Sequence, residues 1–105
     1  MNKVDLFNAR NCSEKVEGGM EIAVVDVGSF KDIDKDGHDV TVSVLKAEDG
    51  SIYCSISATI AKSLDDLTDI IADNGGKAVK VKVIESKSQN GRDFFQLKII
   101  GKSDQ

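Results

Sequence analysis

The sequence predicts an all-β domain with one helix, and three observations carry that prediction. Three runs alternating between apolar and polar residues come first, one segment of helical period follows, and two more alternating runs close the chain. The last two runs are joined by Asn90-Gly91, a dipeptide suited to the positive backbone angles of a hairpin turn. This order is the connectivity of a five-stranded Greek-key barrel, the OB-fold, with its helix between the third and fourth strands. Many activities share that architecture, so function must be read from side chains.

The first run, Met20 to Phe30, places Ile22 and Val24 on one face and Ala23, Val25 and Val27 on the other. Gly28 interrupts it, the expected sign of a bend in a long strand that must serve both halves of a curled sheet. Asp39 to Lys46 alternates next, with Val40, Val42 and Val44 expected inward and Thr41, Ser43 and Leu45 outward. Glu48-Asp49-Gly50 supplies the turn into Ser51 to Ser57, where Ile52, Cys54 and Ile56 are expected inward and Tyr53 and Ser55 outward.

At Thr59 the period changes. Ile60, Leu64, Leu67 and Ile71 recur at helical spacing while Lys62, Asp65, Asp66 and Asp69 take the opposite side. Ser57 or Thr59 is suited to cap the helix start, and Asn74-Gly75-Gly76 to stop it. Lys77 to Ser86 returns to alternation, with Val79, Val81 and Val83 facing the core and Lys80, Lys82 and Ile84 away from it. A turn over Ser88 to Arg92 leads into Asp93 to Ile100, where Phe95, Leu97 and Ile99 oppose Phe94, Gln96, Lys98 and Ile100.

With 105 residues, the chain is sized for a single domain. Residues 20–101 form the expected barrel, 1–19 an N-terminal extension and 102–105 a short tail. The extension has no sustained period; Val4, Leu6 and Phe7 suit a short strand, an arm or a contact with another subunit. Apolar residues at 40% and charged residues at 30% fit a globular protein. No window approaches a membrane span and the N-terminus lacks a secretory pattern, so a cytoplasmic location is expected.

Several chemistries lack their residues. Cys12 and Cys54 are far apart without a metal-binding pattern, and Cys54 falls on an apolar strand position suited to a buried thiol. His38 stands alone in a loop, without a nucleophile in a recognisable setting. Asp32-x-Asp34-x-Asp36-Gly37 matches the first half of a calcium loop, but Ser43 occupies the twelfth position and the flanks read as strands. The loop is therefore expected to be an acidic hairpin connection. Asp65 and Asp66 are adjacent on the polar side of the helix and read as solvating charges. No phosphate loop, nucleophile elbow or ligand cluster appears, so neither catalysis, a metal nor another cofactor is expected.

Charge is unevenly divided. Through Asn74, seven Lys or Arg oppose fifteen Asp or Glu, a balance of −8; from Gly75 onward seven oppose three, a balance of +4. The overall −4 therefore hides a basic second half built from the last two strands. Lys80, Lys82 and Lys98 fall on the non-core side, and Phe94 shares the face of Lys98. Cations that follow phosphates beside aromatics that stack on bases are the two ingredients of sequence-tolerant binding to a single nucleic-acid strand.

With this strand order and the closing segment Asn90-Gly-Arg-Asp-Phe-Phe-Gln-Leu-Lys, the stretch from Met20 to Gly101 resembles the small OB-fold single-stranded DNA-binding proteins of bacteriophages and prophages. The resemblance implies a cofactor-free protein that coats single strands during replication and recombination as a homodimer or larger homo-oligomer, alongside phage replication proteins. It also implies base stacking by Tyr53, Phe94 and Phe30, with Lys80, Lys82, Arg92 and Lys98 on the backbone. The chain stops at Gly101-Lys-Ser-Asp-Gln, unlike the long acidic, apolar-tipped tail usual in bacterial single-strand binders, so recruitment through such a tail is not expected. The alternative is a protein-interaction module, such as a phage subunit or inhibitor, whose acidic front half and Phe7 arm dock a basic partner.

Overall fold

A computed structural model describes residues 1–87, Gln89, Gly91 and 93–102, with the backbone alone for Cys12, Asp93 and Lys102. Along these residues lie α1 (Lys3–Cys12), β1 (Glu14–Lys15), β2 (Glu21–Ile33), β3 (Asp39–Ala47), β4 (Ile52–Ser55), α2 (Ala58–Asp73), β5 (Val79–Lys87) and β6 (Asp93–Lys102). The strands form one six-stranded sheet in the order β1-β4-β3-β2-β5-β6. The protein is thus mostly β with two helices, one strand and one helix more than the hydrophobic period predicts.

β2 to β6 and α2 form where the alternating and helical periods of the sequence lie. Ser57 caps α2, accepting the Ile60 N–H, and Asn74 closes it before Gly75 and Gly76 at positive φ. Ile60, Leu67 and Ile71 turn the apolar stripe of α2 onto the sheet. They meet Ile22, Val24, Leu45, Ala47, Val79, Val81 and Val83, with Phe95 and Leu97 packed at the margin. The Ser57 hydroxyl also donates to the Phe95 carbonyl at 2.7 Å, tying the start of α2 to β6.

Three details of the strands differ from the sequence reading. The bend in β2 is a register shift between Val24 and Asp26, which restores Val27 to the core side, rather than a break at Gly28. Gly28 instead admits the N-terminal residue: a Cβ there would lie 3.1 Å from Met1 Cβ and Sδ. The faces of β3 and β4 are also exchanged. Leu45 and Ala47 enter the main core, whereas Val42 and Val44 are buried outside that cluster. Cys54 pairs in register with Val44 and accepts a hydrogen bond from Ser13 just beyond α1, and Ile56 is exposed. β3 buries both faces, so its alternation cannot say which face meets α2.

The N-terminal segment carries the largest difference. It forms α1, capped by Asn2, and then β1, which adds in parallel to β4. Val16 joins the main core. Among the described side chains of α1, Asp5 and Ala9 are buried, four apart on one side, while Val4 and Phe7 point to solvent at 66% exposure each. A polar and small stripe seats this helix, so hydropathy gives no helical period. Its anchors are specific: Asp5 pairs with Lys46 at 3.2 Å, and the N-terminal ammonium lies 3.4 Å from Asp26.

Candidate nucleic-acid interface

The antiparallel pairing of β5 with β6 fixes the candidate surface. Burial of Val79, Val81 and Val83 aims their neighbours away from the core, because side chains alternate along a strand. Lys82 lies directly opposite Lys98, Ile84 opposite Gln96, and Ser86 opposite Phe94. Lys80 follows on the same face, facing Ala23 across β2. Lys80 and Lys98 are exposed, while Lys82 and Phe94 are half-buried. Phe94 stands four residues from Lys98, about 13 Å along the strand.

Lys80, Lys82 and Lys98 of this face stand outside ion-pair distance of the carboxylates among the described residues, with Glu21 directly opposite Lys82 on β2. Like charges directly opposite on a sheet destabilise it by a few tenths to about 1 kcal/mol, so the Lys82 and Lys98 pair gains from an anion placed between the ammonium groups. A phosphodiester backbone is such an anion, and Phe94 offers an aromatic surface farther along the face.

The other expected contacts separate from this group. Tyr53 does not point outward: it pairs in register with Leu45 and packs half-buried against the core cluster. It follows Leu45 because directly paired residues share a sheet face, correcting the orientation expected from alternation in β4 alone. Phe30 is half-buried on β2, and its ring lies beneath the Arg10 guanidinium at 4.9 Å. Arg92 lies outside the described residues, as do Ser88 and Asn90 of the expected turn; Gly91 adopts φ 77°. Sequence reasoning missed Arg10, since only a helix at that position brings it over Phe30.

The acidic loop between β2 and β3 is a turn. Asp34 Oδ1 accepts the N–H groups of Asp36 and His38, each at 2.9 Å, and Gly37 adopts φ 82°. Ligand atoms of Asp34, Asp36 and His38 lie within 4.8 Å of one another, but one Asp34 oxygen already holds the turn together. Among the described residues, no helix is long and apolar enough to cross a membrane.

A mostly β protein with a basic, aromatic-bearing sheet face is the class defined by this geometry. The chain belongs to the family described as Phage Single-stranded DNA-binding protein, whose model it matches over residues 1–100. The match includes α1 and β1 as well as the later strands. The single-stranded DNA-binding proteins of Bacillus phages PZA and phi29 are each 29% identical to it over 104 residues, covering 92% of this chain and 84% of the phage protein. The corresponding protein of Bacillus phage B103 is 26% identical over 106 residues, covering 94% and 87%.

Proposed function

We propose that this protein binds single-stranded DNA along the outer face of β5 and β6, without catalysis, and coats exposed strands during phage replication. The observation that carries the site is the cross-strand pair Lys82 and Lys98, with Lys80 beside it and no carboxylate in ion-pair contact among the described residues. The ammonium groups displace counterions from phosphates, giving affinity without sequence preference. Phe94 stacks on a base, and Arg92, two residues earlier in the sequence, adds a further cation for phosphate. Tyr53 supports the sheet from its core side.

The supporting architecture is an OB-type barrel opened between β4 and β6. Its order β4-β3-β2-β5-β6, with α2 between β4 and β5, is the connectivity of that fold. The single-stranded DNA-binding names of the phage relatives favour the same ligand. Side-by-side binding as a homo-oligomer completes the reading, since coating requires neighbouring protomers on one strand.

Fluorescence polarisation of a labelled dT oligonucleotide across a salt series tests the site. Binding should weaken as salt rises, and the folded Lys80→Gln, Lys82→Gln, Lys98→Gln variant should show a log affinity against log salt slope reduced by about 2, at roughly 0.7 per lost phosphate contact. Phe94→Ala should weaken binding by about 1 to 3 kcal/mol with the salt slope retained. An unchanged slope in the triple variant would remove the lysine face from the interface.

A further inference from the structure

We infer that the DNA path extends from β5 and β6 across the outer face of β2 to Arg10 on α1, where the guanidinium stacked on Phe30 forms a second contact. The inference rests on the single-stranded DNA reading above. It assigns α1 a binding residue in addition to its covering role.

The two ends share one side of the sheet. Lys80 is opposite Ala23 on β2, while Ile22 and Val24 flank Ala23 from the core side. The shift between Val24 and Asp26 returns Val27 to the core, leaving Asp26, Gly28 and Phe30 on the side that carries Ala23. Ala23 to Phe30 spans about 23 Å, the length of about seven stacked nucleotides. Met1 fills the space over Gly28, so a single strand covering this distance crosses above Met1 to meet both groups.

Charge along the route favours that path. Asp26 is paired with the N-terminal ammonium at 3.4 Å, and Asp5 with Lys46 at 3.2 Å, so two acids of the region are balanced locally. Glu21, beside Lys82, and Asp32, beyond Phe30, remain exposed. Arg10 is exposed and forms no ion pair among the described residues. Its guanidinium already lies over Phe30 at 4.9 Å, leaving the other planar surface available to a base and its N–H groups to phosphate.

Oligonucleotide length separates this contact from the lysine site. For Arg10→Gln, the salt slope should fall by about 0.7 on dT of about 16 nucleotides and remain unchanged on dT of about 3 nucleotides, which even fully extended falls short of spanning both ends. Equal slopes for variant and wild type on the long oligonucleotide would overturn the extended path, as would an equal loss on both lengths. Absence of binding by wild type at low salt would overturn the underlying DNA reading as well. Phe30→Trp places the sole tryptophan of the chain under Arg10. Its fluorescence should be quenched by the long oligonucleotide and not the short one; no change with the long one, under conditions where polarisation reports binding, rejects the second contact even if Arg10→Gln does not fold.

Discussion

The outer side of the sheet contains two surfaces with opposite treatments of charge and apolar area. Over β2, β3 and β4, α1 covers the region containing Val44, and its Asp5 neutralises Lys46. Over β5 and β6, lysines stand directly opposite one another without ion-pair partners among the described residues. The first arrangement spends its contacts on holding a helix in place. The second leaves cations available to an external anion, the role the proposed function gives them.

The sharpest break in this comparison is Val44→Asp. Val44 has 0% exposure, so an unpaired carboxylate there should destabilise the protein by at least about 3 kcal/mol, measured by urea unfolding. Lys80→Asp on the uncovered half should leave the unfolding midpoint almost unchanged. Equal stability losses would show that the two halves are not differently packed.

A smaller effect tests the anchor of α1. Asp5→Ala removes the partner of Lys46, whose side chain is only 31% exposed, and should cost about 1 kcal/mol in the same unfolding assay. Lys46→Ala and the double variant complete a cycle; a coupling near zero would mean that apolar contacts alone hold the helix. The smallest effect belongs to the β3 to β4 turn, away from both surfaces. The Ser51 backbone N–H donates to Asp49, and this bond holds its carboxyl below the ordinary range. The resulting stabilisation is present above the unfolded carboxyl pKa and lost as pH falls through the lower folded value. Asp49→Asn should flatten that part of the acid unfolding profile without changing DNA affinity.

Much of the candidate face is legible in the sequence. Val79, Val81 and Val83 set one face of β5, and strict alternation then places Lys80 and Lys82 on the other. Phe94 and Lys98 follow the same rule on β6. Arg10 was not legible because no local pattern connects it to Phe30, twenty positions later. Tyr53 was misdirected because Ile52, Tyr53 and Cys54 present apolar character on successive positions, which gives period-two alternation no single solution.

By itself, the sequence determined the succession of five of the six strands, the amphipathic α2, its polar cap and glycine stop, and the basic character of the final hairpin. Each rests on interactions within one element or between adjacent elements, so periodicity and turn chemistry suffice. The tertiary structure decided that residues 3–12 form α1, that β3 turns Leu45 rather than Val44 toward the main core, and that Arg10 meets Phe30. Those outcomes depend on a second layer covering the sheet: once both faces of β3 are buried, and a helix is seated through Asp5 and Ala9, hydropathy no longer distinguishes inside from outside.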